Sequence, residues 1–372
     1  MINPEAFYKA IQERGIGLFT GVPDSLLKHL CAFVDHHCST GNHILTANEG
    51  NAVALAAGYY MSTGKMAAVY MQNSGLGNCV NPLTSLTDPQ VYSIPMLLII
   101  GWRGEPGVKD EPQHVKMGRI TPAQLDLLEI PYRVLDAATD PEPVLDDLFS
   151  VLESTSAPAA LLVRKNTFQA CTKAAKNAPT QGLKREQALR ALLGLAGDSL
   201  VISTTGKTSR EVFEIRTSLG HPQQDFLTVG SMGHASSIAL GTALGNPGKK
   251  VICLDGDGAM LMHMGTMAIT GSQKPQGLIH VILNNQAHES VGGQPTVAGN
   301  MDLRSIALGC GYSFFHQARD EAGIRQAWEN LLDKQGPALL EIKIQPGSRA
   351  DLGRPTSTPI QNKQAFMEKA HA

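Results

Sequence analysis

Asp257 and Asn285 are the residues of this chain best suited to hold a cation. Asp257 lies in Leu254-Asp255-Gly256-Asp257-Gly258-Ala259, and Asn285 ends Leu283-Asn284-Asn285. A carboxylate and an amide oxygen are hard donors of the kind Mg²⁺ takes. Gly256, Gly258 and the small Ala259 let a phosphate approach the backbone at the start of the helix expected from Met260. Each segment follows an apolar run, 251–254 and 278–283. Parallel strands deliver such loops to one sheet edge, where ligands bind. The combination predicts a site for a metal-bridged diphosphate.

Other residues could carry chemistry but have plainer readings. Glu49, in Thr46-Ala47-Asn48-Glu49-Gly50-Asn51-Ala52, opens an Ala-rich helix. A glutamate there commonly caps the helix or complements its dipole. Val229-Gly230-Ser231-Met232-Gly233-His234 reads as a strand-to-helix turn with a core methionine. Thr204-Thr205-Gly206-Lys207-Thr208 looks like the end of a P-loop, but the glycine required five positions before Gly206 is Val201. Asp24 follows Pro23 as a turn residue would, and His114 reads as a loop histidine.

The elements that must position these residues alternate along the chain. In the first half, helices are expected at 4–14, 25–34 and 51–62. Strands are expected at 17–20, 66–71, 95–101, 132–135 and 159–163. In the second half, helices are expected at 184–195, 209–218, 234–244 and 260–272. Strands are expected at 199–203, 226–229, 250–254, 278–283 and 338–344, the last closing the sheet. Continuous apolar strands separated by helices imply parallel sheets covered on both faces. The fold class is therefore α/β, with two doubly wound parallel-sheet domains at 1–166 and 183–372. A polar, aperiodic linker at 167–182 joins them. The 372 residues suit two cores of about 150–190 residues each.

Hydrophobic residues make up 42% and charged residues 17%, which excludes a disordered chain. A net charge of −2 gives no reason to expect a nucleic-acid or membrane-surface partner. The six cysteines include no Cys-x-x-Cys pair and are expected to be reduced thiols of a cytoplasmic protein. Residues 1–5 show no basic region followed by an apolar stretch, and no window reaches the ~20 uncharged apolar residues of a membrane span, so neither export nor membrane spanning is expected.

Taken together, the chain resembles the thiamin-diphosphate-dependent enzymes, whose diphosphate motif runs from Gly-Asp-Gly to Asn-Asn. Here residues 259–283 separate Gly258 from Asn284. The resemblance implies that Asp257, the Asn285 side chain and the Ala287 carbonyl hold Mg²⁺. It implies that Glu49 hydrogen-bonds the aminopyrimidine ring, and that Met232 props the cofactor in its bent shape. The Gly230 carbonyl would receive the 4′-amino group, and the Gly206 loop would face the diphosphate beside Gly256, Gly258 and Ala259. Within that family the chain is similar to phosphonopyruvate decarboxylases and then to sulfopyruvate decarboxylases. The segments that carry this similarity are 20–25, 101–107, 110–114, 230–235 and 287–294. They include Gly101-Trp102-Arg103-Gly104-Glu105-Pro106-Gly107 and Ala287-His288-Glu289-Ser290-Val291-Gly292-Gly293-Gln294.

The implied reaction is non-oxidative decarboxylation of 3-phosphonopyruvate to phosphonoacetaldehyde and CO₂. Asp24, His114 and His288 would handle protons. Pyruvate decarboxylases place a glutamate at the sixth position after the second asparagine, which here is Val291, with Glu289 two residues earlier. The phosphonate needs cations, for which Arg103, Lys109, Lys116, Arg119, Lys207 and Arg210 are available. Three alternatives stand beside this reading: a sulfopyruvate decarboxylase, a carboligase, and a non-catalytic cofactor-binding protein. In this family each cofactor site draws on two subunits, so a homodimer or dimer-based oligomer is expected. Residues 287–300 are a Gly-rich candidate for a lid.

Overall fold

Met96 to Ile100 is apolar at every position, and its strand is buried on both sides. Leu97 and Ile99 enter one core layer while Leu98 and Ile100 enter the other. That period of two is what a strand covered by helices on both faces requires. Each such side chain, fully buried, contributes about 1.5–3 kcal/mol.

The computed structural model describes residues 1–38, 41–171 and 182–372. Two compact units comprise Met1–Ala175 with Val291–Gln294, and Lys176–Ser290 with Pro295–Ala372. In the first unit the helices are α1 (Pro4–Glu13), α2 (Lys28–His37), α3 (Glu49–Thr63), α4 (Leu76–Pro82), α5 (Pro112–Leu127) and α6 (Pro141–Thr155). The strands are β1 (Ile16–Gly21), β2 (His43–Leu45), β3 (Met66–Gln72), β4 (Leu97–Gly101), β5 (Tyr132–Leu135) and β6 (Ala159–Val163). They form one parallel sheet in the order β2-β1-β3-β4-β6-β5.

The second unit begins with α7 (Arg185–Leu195), β7 (Leu200–Ser203), α8 (Lys207–Ser218), β8 (Phe226–Leu227), α9 (Ala235–Gly245) and β9 (Val251–Gly256). It continues with α10 (Asp257–Met262), α11 (Gly265–Gln273), β10 (Leu278–Asn284), α12 (Leu303–Gly309), β11 (Phe314–Ala318), α13 (Glu321–Leu332), β12 (Ala338–Lys343) and α14 (Pro359–His371). Its parallel sheet runs β11-β12-β10-β9-β7-β8. Read from the β8 edge, that is the second, first, third, fourth, sixth and fifth strand of its unit. The first sheet has the same order. The doubly wound parallel fold expected from the sequence is what both units adopt.

Several expectations need correction. The 338–344 strand does not close the sheet: β12 lies between β10 and β11, and β11 forms the edge. Helix 260–272 is two helices, broken where His263 leaves helical geometry at φ −133° and ψ 45°. The helix expected from Ser25 starts at Lys28, because the Asp24 carboxylate binds the Leu26 and Leu27 N–H groups in a turn. Strand 226–229 is only two residues long. Part of the expected linker is not linker-like: Phe168 packs in the first core, and the Ile2 N–H donates to the Thr167 carbonyl. Residues 172–181 of that linker lie outside the described residues.

Helix α5 continues through Pro122, which has no N–H for the Gly118 carbonyl. The Trp102 indole N–H donates to that carbonyl at 2.8 Å instead, so the orphaned acceptor is satisfied. Gly118 cannot carry a side chain here, since a Cβ would lie 1.8 Å from the Gly104 carbonyl oxygen. This packing brings the start of α5, with His114, against the end of β4. Among the described residues no helix is long and apolar enough to cross a membrane.

Candidate active site

Glu49 is the first residue of α3 and is buried. It is not the cap. The Asn48 side chain takes that role, accepting from the Gly50 N–H at 2.8 Å. The Glu49 carboxylate turns instead onto the turn and helix α4 that follow β3. There it accepts from the Asn78 side-chain amide at 2.8 Å. It also lies across Gly75, where a Cβ would come within 2.3 Å of a carboxylate oxygen. One carboxylate oxygen is thus anchored by Asn78, and capping does not explain the glutamate, which still complements the helix dipole from the first turn.

Asp24, in the turn after β1, is fully buried. Its Oδ2 binds main-chain N–H groups, while Oδ1 has no partner. Burial pushes this carboxyl up to about 6, opposed by the Leu26 N–H and the nearby Arg103. The side chain rests on Gly101, where a Cβ would be 2.2 Å from Oδ2. Arg103 is gripped by both oxygens of Asp110 and donates to the Ser25 hydroxyl. His114 is buried, and its Nδ1 has no partner. Burial, and secondarily Arg103, pull it down to about 4, so its ring is neutral. The structure therefore groups Asp24 and His114 around one guanidinium. Lys109, Lys116 and Arg119 are exposed.

In the second unit, β9 and β10 pair in register and deliver Asp257 and Asn285 together. The Asn285 main-chain N–H lies close enough to the Asp257 carboxylate to favour its charged form. The Thr296 hydroxyl donates to the same carboxylate at 2.5 Å. Burial nevertheless pushes Asp257 up to about 6. The Asn285 Oδ1 accepts from the Ala287 N–H, across a left-handed Gln286 at φ 57°. His288 is buried with its ring over Gly258, 3.1 Å from where a Cβ would stand. Burial pulls it down to about 4.

Gly206 and Gly256 differ from the glycines under side chains. A Cβ at either would meet nothing within 4 Å. Gly206 is forced by its φ of 92° at the start of α8. Gly256 needs neither a special φ nor room for its own chain, so its backbone is open to a ligand. In the loop after β8, Gly230, Ser231 and Gly233 all have positive φ, and Met232 is half-buried. The Gly230 N–H donates to the Thr205 hydroxyl, tying this loop to the one after β7.

Both halves match family models. Residues 4–126 match "Thiamine pyrophosphate enzyme, N-terminal TPP binding domain", and residues 205–342 match the C-terminal TPP binding domain. The chain is 37% identical to a phosphonopyruvate decarboxylase of Streptomyces viridochromogenes, covering 98% of this chain and 94% of that one. It is 36% identical to a phosphonopyruvate decarboxylase of Streptomyces hygroscopicus, over 100% of this chain and 94% of the relative. The chain belongs to the thiamine pyrophosphate enzymes. A sulfopyruvate decarboxylase of Methanosarcina acetivorans is 27% identical, over 99% of this chain and 98% of the relative.

Thiamin diphosphate, the same compound, is thus the enzyme's cofactor, and the residues present suit it. The open backbone at Gly206 and Gly256 leaves room for phosphate oxygens, and the Asp257 carboxylate with the Asn285 amide oxygen suits a divalent cation. Three of the proposed cations are already engaged, Arg103 by Asp110 as described above. Lys207 binds Glu289 at 2.8 Å. Arg210 binds the Leu352 and Gly353 carbonyls. Residues 287–300 include a built return rather than a plain Gly-rich strap: Ala287 pairs with Pro295, and the Thr296 N–H donates to the Gln286 carbonyl.

Sequence reading missed Asn78 and Thr296. Each is an ordinary polar residue brought in by a distant contact, and no local pattern marks it. Glu289 was visible, but its setting was not. Burial alone would raise its carboxyl, yet Arg185 and Lys207 hold it below the usual range.

Proposed function

We propose that the enzyme decarboxylates 3-phosphonopyruvate to phosphonoacetaldehyde and CO₂, using thiamin diphosphate and Mg²⁺. The observation that carries this reading is the end-to-end similarity to two phosphonopyruvate decarboxylases. The cofactor, when bound, supplies an electron sink for the pair released as CO₂ departs. Asp257, the Asn285 side chain and the Ala287 carbonyl hold the cation. Backbone at Gly206, Gly256, Gly258 and Ala259 faces the diphosphate. The Gly230 carbonyl accepts from the cofactor's amino group, and Met232 supports its rings. The first unit takes the pyrimidine and the second the diphosphate.

Glu49 holds a proton at the pyrimidine ring, fixed in place by Asn78. Asp24 is the acid best placed to give a proton to the product carbon, since burial lifts it toward neutrality. His114 and His288, both held neutral by burial, can accept or relay one. Burial of all three keeps water scarce around the leaving carboxylate. Steady-state turnover of phosphonopyruvate, sulfopyruvate and pyruvate tests the assignment. Phosphonopyruvate should exceed pyruvate in kcat/KM by at least ~100-fold, because a site built for an anionic group leaves that site unpaired with pyruvate. Comparable turnover of sulfopyruvate would favour the second reading, which the Methanosarcina acetivorans relative supports.

We further propose a homodimer or dimer-based oligomer, with Glu49 of one subunit serving the same cofactor as Asp257 of another. Three helices support it. Helix α3 exposes Ala54, Gly58 and Met61; α9 exposes Gly241, Leu244 and Gly245; α11 exposes Ala268 and Ile269. Helices that stay apolar on their outer side call for a covering surface. Chains with Glu49→Gln and chains with Asp257→Ala, each inactive alone, should regain part of the wild-type rate when subunits are exchanged. No recovery after demonstrated exchange would place the whole site in one chain.

A further inference from the structure

Glu289 stands four residues after Asn285 and is half-buried within a chain of charges in the second unit. Its Oε2 accepts from the Asn285 side-chain amide at 2.9 Å. Arg185 donates to the same oxygen at 2.9 Å, and Lys207 to Oε1 at 2.8 Å. Arg185 is in turn held by both oxygens of Glu211, at 2.7 and 2.8 Å. Arg185 joins α7 to α8 and to the loop after β10, and Lys207 opens α8. Two cations and two carboxylates balance, so the group presents no net charge.

An amide can be turned over at almost no steric cost, and only its hydrogen bonds decide which end points where. At Asn285 both ends are decided. The NH₂ faces Glu289, and the oxygen lies on the Ala287 side, where it accepts one hydrogen bond and keeps a lone pair. Turned over, the oxygen would face the Glu289 carboxylate and the NH₂ would face the Ala287 N–H. Both contacts would be repulsive. We infer that Glu289 is a positioning residue, which locks the Asn285 amide so that its oxygen is presented to the divalent cation. The inference rests on the cofactor reading above. Arg185 and Lys207 fix Glu289 itself, so Lys207 acts on the metal through this lock and not as a phosphate ligand.

The test is calorimetric titration of Mg²⁺ into the full-length enzyme saturated with thiamin diphosphate. Glu289→Asp keeps the charge but stops a methylene short of Asn285. It should raise the Mg²⁺ dissociation constant by about 10–100-fold, as loss of a group that orients a ligand does. Glu289→Gln should weaken binding at least as much. If Glu289→Asp binds Mg²⁺ as wild type does, the lock is refuted, even where Glu289→Gln is weak, because charge alone would then explain the loss. Lys207→Met provides a check that leaves Glu289 in place. Removing a positive charge should tighten Mg²⁺ if only charge matters, whereas loosening Glu289 should weaken it; tighter binding overturns the inference. Failure of the wild-type enzyme to take up Mg²⁺ would instead remove the cofactor reading on which the inference stands.

Discussion

Glu49→Gln lowers kcat by about 10²–10⁴, the range by which a positioned acid–base group contributes, while the cofactor still binds. Glutamine is nearly isosteric and keeps an oxygen for the Asn78 amide, so the contact at 2.8 Å survives. What it loses is the ability to share a proton with a ring nitrogen. The diphosphate loops around Asp257 are untouched, so affinity for thiamin diphosphate should change only a few-fold. Exchange of the cofactor's thiazolium proton with deuterated water, followed by NMR, checks the step directly and should slow in parallel with kcat. Wild-type exchange and turnover in Glu49→Gln would show that the carboxylate only steadies α3. The contact with Gly75 offers a second route to the same end. Gly75→Ala would drive a methyl group to within 2.3 Å of a Glu49 oxygen, displacing the carboxylate and reducing turnover with Glu49 still present.

Asp257→Asn removes cation and cofactor binding together. The neutral amide can still accept from the Thr296 hydroxyl, now at 2.5 Å from the carboxylate. The apoprotein is therefore expected to melt within a few degrees of wild type. The difference appears on adding Mg²⁺ and thiamin diphosphate. For wild type, ligand at 100 times its dissociation constant adds about 2.7 kcal/mol of stability by mass action. The variant should gain almost none, and its turnover should be undetectable. Thermal unfolding with and without the two ligands measures this. A ligand-induced rise in Tm equal to wild type would move the metal site away from Asp257.

The fold was legible wherever strands are buried on both faces. The runs in β3, β4, β9 and β10 are apolar at nearly every position, and helical surroundings leave no other reading. Edges were less legible. β2 has three residues, none of them fully buried, and the second half of β11 is His-Gln-Ala, a sequence that suits a loop as well as an exposed edge. Helix α5 was hidden by Pro122, because its rescue by the Trp102 indole is a tertiary contact. Helices α6 and α13 do carry readable signals, with Asp140 before Pro141 and Asp320 before Glu321.

The site was legible in part for a similar reason. Paired loops at the ends of β9 and β10 put Asp257 and Asn285 into a recognisable spacing. The partners of those residues are set by folding alone. Nothing near Glu49 announces Asn78, and nothing near Asp257 announces Thr296. Glycines under the acidic and imidazole groups were readable only afterwards: Gly75 beneath Glu49, Gly101 beneath Asp24, and Gly258 beneath His288. Each clears a seat for one functional side chain.

The identical strand order of the two sheets means that one plan of half the chain, used twice, describes the whole scaffold. The candidate residues occupy corresponding places in the two copies. In the first copy, Asp24 follows the first strand, Glu49 the second, Gly75 and Asn78 the third, and Arg103 with His114 the fourth. In the second copy, those places hold Gly206, then Gly230 with Met232, then Asp257, then Asn285. The two copies differ in four connections on an unchanged frame, and by the reading proposed above those of the first handle protons while those of the second grip an anion.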